Sequence, residues 1–390
     1  MPARRQHHSR QRLQLEKPSI ISLFTCGMGM DIGFEKAGFS TKYANDITKF
    51  ACNTIRENKP GIHCDEGDIT EISSAEILER ASLRRGSVDV VIGGPPCQSF
   101  STAGKRRGLK DKRGFALLQY LRVINDVKPK FFVFENVPGL LSVAKNHVSF
   151  YDRINTDRRI TKTQKYGSLF SEIIDEFQSL RGYRIEWRKL NAADFGVPQK
   201  RKRFILIGSR TVDPALVFAE IERSARYADP AAETGKRPWR TLREALAGLD
   251  DPEQEHVNFP HWGKYLRYVP PGGCWTSLPK GMVKKAMGGA ADSDDPLKRG
   301  KQGGRTGFYR RLAWDAPAPT LVTSPVQLGS CICHPTKMRP LTVKEYARIQ
   351  GFPDTWRFVG STAQKYRMIG EAVPVDLAKA IAAAIKKHLV

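Results

Sequence analysis

Long hydrophobic runs are missing from this chain. No stretch approaches the ~18 apolar residues that span a bilayer, and no secretory signal is recognisable. Cysteines are few and unpaired in pattern, lying at 26, 52, 64, 97, 274, 331 and 333. An odd, scattered set excludes a disulfide framework and predicts a reducing compartment, the cytoplasm. Cys331-Ile332-Cys333-His334 has soft donors but lacks the second ligand pair of a zinc site, so it reads as small apolar strand residues and no metal is expected. Internal repeats and low-complexity tracts are absent too. Negative charge is scarce: 40 Asp+Glu stand against 64 Lys+Arg, leaving +24. Such an excess points to a polyanion, and to nucleic acid first, through phosphate contacts and counterion release.

What is present is alternation. Short β-branched runs are predicted as strands over 19–24, 41–44, 88–92, 131–135, 184–190 and 204–208. Helical patterns fall between them, to about 37 and over 48–57, 115–127 and 169–180, with an Ala-rich amphipathic helix over 375–389. Strands alternating with helices predict an α/β fold with a mostly parallel sheet covered on both faces. Residues 1–18 are basic and read as a flexible tail. A catalytic and cofactor domain is expected over 19–208, completed by 366–390. The Gly-, Pro-, Trp- and Arg-rich stretch 209–337 reads as a second, irregular domain, and 338–365 as a hinge and return segment.

The strand at 88–92 runs into Gly93-Gly94-Pro95-Pro96-Cys97. Two prolines fix φ and remove two donors, so Cys97 is held in one place on a strand's carboxyl edge, where open α/β sheets do chemistry. Glu135-Asn136-Val137-Pro138 ends the next strand, a carboxyl poised over that same edge; partly buried, it has a raised pKa and suits proton donation. Arg201 and Arg203 alternate with Lys200 and Lys202, so the two arginines share one face of a strand. The glycine turn Phe24-Thr25-Cys26-Gly27-Met28-Gly29 departs from the dinucleotide spacing and lowers the odds of NAD or FAD. Asp46, at the end of the second strand, suits two ribose hydroxyls, and Asp68 an adenine amino group; together they favour an adenosine-containing cofactor. Lys105, Arg106 and Arg107, between Gly104 and Gly108, suit phosphates on a movable loop.

Taken together, these segments resemble the DNA (cytosine-5) methyltransferase family of bacterial and phage type, possessed also by restriction–modification systems. The resemblance rests on the turn at 24–33, Gly94-Pro95-Pro96-Cys97-Gln98-Ser99-Phe100, Glu135-Asn136-Val137, Gln199 to Arg203, the run Arg339 to Asp354, and Gly370-Glu371-Ala372-Val373-Pro374, in family order. It implies a Rossmann-like domain that binds S-adenosyl-L-methionine, and a target recognition domain over 209–337. Cys97 would attack C6 of a cytosine flipped from the duplex, Glu135 would protonate N3, Arg203 would contact O2, and Arg201 would support Glu135. A free thiol with pKa of about 8.5 is mostly un-ionised at neutral pH, so nearby cations would help it. The cofactor pocket would comprise Phe24, Gly27, Gly29, Asp46, Ile47, Asp68, Ile69, Pro96, Ala116, Glu371 and Val373. Gln98, Ser99, Lys105, Arg106, Arg107 and Thr320 would meet DNA, the basic loop closing as a lid. Arg299, Lys301 and Arg305 are offered for base readout or phosphate contact.

Four positions depart from the family pattern. Cys26 and Met28 stand where glycines are common, predicting a differently shaped turn; Ala116 replaces a larger apolar residue; Glu371 replaces an Asn. The expected partner is double-stranded DNA, with a separate cognate endonuclease and a monomeric state in the bacterial cytoplasm. Two alternatives keep the scaffold: a tRNA cytosine-5 methyltransferase and a catalytically silent DNA-binding regulator.

Overall fold

The structure is a computed structural model that describes residues 16–96, 115–143, 161, 165–287 and 307–389. Among the described residues up to 209, eight strands follow the chain: β1 (Ser19–Leu23), β2 (Ser40–Asp46), β3 (His63–Glu66), β4 (Val90–Gly93), β5 (Phe131–Asn136), β6 (Arg184–Asn191), the short β7 (Gln199–Lys200) and β8 (Lys202–Ser209). All but β7 form one seven-stranded sheet in the order β3-β2-β1-β4-β5-β8-β6. The five strands from β3 to β5 pair in parallel, whereas β8 runs antiparallel to both β5 and β6. The expected parallel sheet therefore holds for the cofactor half and reverses at one strand. That reversal is local in origin, because β6 reaches β8 through a tight connection and needs no crossover helix.

Period-two alternation sorts the strand residues to two faces. Ile21, Leu23, Val91, Phe132, Phe134, Phe204 and Leu206 face one core, with helices α3 (Ser74–Arg80), α4 (Phe115–Val127) and α5 (Ser168–Gln178) packed there. Ile20, Val90, Ile92, Phe131, Val133, Ile205 and Ile207 face the other, which α1 (Gly29–Lys36) and α6 (Pro214–Ser224) help to cover. Helix α6 begins at an Asp213 cap followed by Pro214. It lies in the stretch expected to be outside the sheet domain, yet it packs on the sheet through Val217, Phe218 and Ile221. Helix α3, which periodicity did not mark, is announced by the capping box of Ser73 and Glu76.

Beyond α6 the backbone is irregular, with the two-residue pairs Tyr227–Ala228 with Arg237–Pro238 and Ala318–Pro319 with β7. Helices α7 (Leu242–Leu246) and α8 (Lys280–Met287) are the α-helices described there before residue 343. Leu266, Val269, Leu278, Tyr309, Cys331 and Cys333 form a small separate core. The chain returns through α9 (Val343–Ile349), α10 (Thr362–Glu371) and α11 (Val375–Lys386). Helix α11 lies against α1 on the sheet, a close approach that Gly33 permits: a Cβ there would sit 2.5 Å from both Ala378 Cβ and the Val375 carbonyl. No described helix is long and apolar enough to cross a membrane.

Candidate active site

The carboxyl ends of β1, β2, β4 and β5 open onto a cavity of about 760 Å³. Phe24, Gly29, Asp46, Ile47, Pro96, Glu135, Arg201, Arg203, Thr320, Glu371 and Val373 all line it. Gly27, Asp68, Ile69 and Ala116 are not among its described lining residues. Gly27 packs toward Phe358 and Met368. Asp68 lies past the end of β3, where its carboxylate accepts from Thr70 N at 2.9 Å, and Ile69 belongs to the core beneath. Cys97, Gln98, Ser99, Lys105, Arg106, Arg107, Arg299, Lys301 and Arg305 lie outside the described residues, as does most of the basic tail.

At the end of β5, Glu135 is buried and its Oε1 accepts from Arg203 Nε at 2.8 Å, an ion pair between two buried side chains. Burial raises the Glu135 carboxyl above its ordinary pKa, while Arg203 and then Arg201 pull it down. The same burial lowers the Arg203 pKa. The pair is pressed against the Pro-Pro turn: a Cβ on Gly94 would come within 3.0 Å of Glu135 Oε2. Asn136 fixes that turn, its Nδ2 donating to the Pro95 carbonyl at 3.2 Å while its Oδ1 accepts from Val137 N. Tyr120 holds the two strands in line by donating to the Val133 carbonyl at 2.8 Å. Carboxyl, guanidinium and the backbone entering residue 97 are thereby set by neighbouring strand ends.

Arg201 does something other than expected. Its guanidinium is fully buried and donates to the backbone carbonyls of Leu321 at 2.8 Å, Gly370 at 2.6 Å and Ala372 at 3.0 Å. The direct support of Glu135 thus comes from Arg203, and Arg201 acts on it only through its charge. The correction has a geometric cause: Arg201 falls between β7 and β8, where the strand pairing breaks and its side chain meets the returning segments. Gln199 joins the same seam, accepting from Leu321 N and donating to Gln350 Oε1, both at 2.9 Å. Gln350 in turn donates to the Ile369 and Ala372 carbonyls. Gln350 was legible only as part of the Arg339-to-Asp354 run, with no role attached.

The turn after β1 keeps a glycine-like backbone without the glycines. Phe24, Cys26 and Met28 have φ of 55°, 51° and 64°. At Cys26 and Met28 side chains are carried in the left-handed region, at a cost of roughly 1–2 kcal/mol each. Met28 recovers part of this by complete burial. Asp46 anchors the turn. Its Oδ2 accepts from Cys26 N at 2.8 Å, and its Oδ1 accepts from Thr48 N at 2.8 Å and Thr48 Oγ1 at 2.6 Å. Burial, reinforced by Asp46 and Glu371, raises the Cys26 thiol pKa, so this cysteine stays protonated.

Residues 320–323 and the end of α10 wall the cavity on another side. Thr320 Oγ1 donates to the Lys200 carbonyl at 2.8 Å. Glu371 accepts from Arg367 Nε at 3.0 Å, one helical turn back, and lies 3.8 Å from Cys26 Sγ. Arg367 also lines the cavity, which the sequence pattern had not flagged; its i,i+4 spacing from Glu371 was the available signal. Ile47 and Val137 are exposed to 66% and 44% at the cavity wall. Large apolar side chains left uncovered beside polar strand ends fit a ligand with a flat apolar ring and a charged tail.

A sheet in this order, with ligand-facing residues at the strands' carboxyl ends, defines an α/β methyltransferase scaffold. The model of the C-5 cytosine-specific DNA methylases matches residues 19–387, and the chain belongs to that family of DNA cytosine-5 methyltransferases. It is 38% identical over 382 residues to Type II methyltransferase M.PspPI of a Psychrobacter species, covering 95% of this chain and 79% of that protein. It is 37% identical over 371 residues to Type II methyltransferase M.Eco47II of Escherichia coli, covering 93% and 77%. Among solved structures, a putative DNA modification methyltransferase from an E. coli prophage superposes with a TM-score of 0.61 at 23% identity, over 96% of this chain and 99% of that one. S. pombe Dnmt2 methyltransferase does so with a TM-score of 0.59 at 16% identity, over 95% and 99%. These two likenesses speak for the fold alone.

Proposed function

We propose that this chain is the modification methyltransferase of a restriction–modification system, transferring a methyl group to C5 of a cytosine flipped from double-stranded DNA. The observation that carries the reading is the buried Glu135–Arg203 pair beside the Pro95-Pro96 turn, at the edge of the cavity. S-adenosyl-L-methionine would be held by Phe24, Gly29, Asp46, Ile47, Pro96, Glu371 and Val373, and supplies an electrophilic methyl group when bound.

The Cys97 thiolate adds to C6 of the ring as Glu135 delivers a proton to N3, which neutralises charge that would otherwise build on the ring. Burial of Glu135 favours that delivery, because its carboxyl holds a proton more readily than an exposed one. Arg203 keeps the carboxyl aimed and has donors left for the O2 of the base. Once C5 carries the methyl group, water takes the C5 proton, the C6–S bond breaks to release the Cys97 thiolate, and N3 returns its proton to Glu135, which restores the aromatic ring and the enzyme. Arg201 and Gln199 tie the recognition side to the sheet, so the DNA-reading surface over 209–337 is registered to the chemistry.

Expression in a methylation-free host followed by genome-wide 5-methylcytosine mapping tests the assignment; one enriched sequence context is expected. Cys97→Ser is expected to lower methyl transfer by at least ~10³-fold while DNA and cofactor still bind. Wild-type turnover in that variant would sink the covalent mechanism, and transfer to tRNA in place of duplex DNA would move the substrate.

A further inference from the structure

The chain carries +24 overall, but the cofactor end of the cavity is not basic. Its charged walls there are Asp31, Asp46, Glu371 and Arg367, whereas Arg201, Arg203 and Glu135 belong to the far end. Burial raises the Asp31 carboxyl to about 7, so Asp46 and Glu371 are the carboxylates ionised throughout the neutral range. Asp46 is tied to the turn by three donors and Glu371 reaches over the same turn to within 3.8 Å of Cys26 Sγ. The two carboxylates therefore flank Cys26, whose thiol adds no charge. Arg367 offsets Glu371 incompletely, since its guanidinium also lies over the Phe50 ring at 5.8 Å and the pair is open to solvent.

S-Adenosylmethionine carries one net positive charge, from a sulfonium and an ammonium against one carboxylate. The thioether product of methyl transfer has lost the sulfonium and is neutral. We propose that Glu371, standing where the family commonly has an uncharged Asn, acts with Asp46 to make this site select the cationic cofactor over its neutral product, with Arg367 setting how strongly. The inference rests on the cofactor assignment above and extends it. The contacts to ribose and adenine are common to both ligands, so only the field distinguishes them. A carboxylate roughly 8 Å from a cation, at an effective dielectric of about 40–80 for a site open to solvent, changes affinity by roughly two- to sixfold.

Equilibrium titration of the purified enzyme, without DNA, tests this with three ligands: S-adenosylmethionine, S-adenosylhomocysteine, and sinefungin, which places an ammonium where the cofactor has its sulfonium. Glu371→Gln keeps the shape and removes the charge. It is expected to weaken the two cationic ligands about fivefold and to leave S-adenosylhomocysteine within about twofold. The difference should shrink as salt rises. Arg367→Gln is expected to move the ratio of cation to neutral affinity the opposite way. An unchanged ratio in Glu371→Gln overturns the proposal, however the absolute affinities move. Failure of the wild-type enzyme to bind any of the three would overturn the cofactor assignment itself.

Discussion

In the sheet, Glu135 stands opposite Ile205 in a ladder that also pairs Phe134 with Leu206 and Asn136 with Phe204. Among the described residues between 226 and 341 the backbone pairs in two-residue ladders and scattered single bonds, such as Trp275 N to the Phe308 carbonyl and Leu312 N to that of Cys333, and side chains add to them. Tyr309 donates to the Ala286 carbonyl, Arg311 to that of Val269, and Arg339 pairs with Glu345 at the start of α9. The contrast separates two ways of placing a functional group. A strand end holds its residues through many backbone bonds, none indispensable, so the side chain is free to carry chemistry. A stitched loop depends on a few buried polar side chains, and chemistry there competes with structure. This accounts for Arg203 and Arg201, two residues apart, doing different work.

Glu135→Gln should therefore be the cleanest way to break the comparison. Methyl transfer is expected to fall by ~10²–10⁴-fold, while the Gln carbonyl still accepts from Arg203 and the urea midpoint stays close to wild type. A large loss of stability would show that the strand end is not independent of its chemistry. Arg201→Met comes next. It removes the donor from three buried carbonyls at about 1–3 kcal/mol each, so a loss of roughly 3–5 kcal/mol is expected by urea denaturation. Unchanged stability would mean that the seam is held elsewhere.

The smallest effect concerns His334 in the stitched region. Burial lowers its pKa to about 4, and its Nδ1 accepts from Thr336 N and Lys337 N. The unfolded chain, with His near 6.5, binds the proton more tightly. Stability is therefore fully present above about 6.5 and drains away as the pH falls toward about 4. A loss on the order of 3 kcal/mol is expected across that window, flattened in His334→Gln. A slope equal to wild type in that variant would assign the pH dependence to other groups.

How much was legible follows the same division. Strand ends could be read because a β-branched run, a turn and a chemical residue fall within a few positions of one another, as at Val90 to Pro96 and Phe131 to Val137. Helix bounds were close for the same local reasons; α4 coincides with its periodic pattern. The antiparallel β8 was not legible, since apolar runs buried on both faces carry no mark of direction. Nor was the docking of Arg201 on Leu321, Gly370 and Ala372, which joins segments more than a hundred residues apart. The left-handed residues of the turn were not legible, because the positive φ falls on Phe24, Cys26 and Met28 and not on the neighbouring Gly27 and Gly29.

The seat of α11 on α1 also sets an order of events during synthesis. Met30 and Phe34 on α1 emerge long before Leu377, Ala378 and Ile381, which cover them. A ribosome must deliver all of the irregular stretch between them before the sheet is closed on that side. A half-made chain therefore has its glycine turn and its strand ends but no finished floor beneath them.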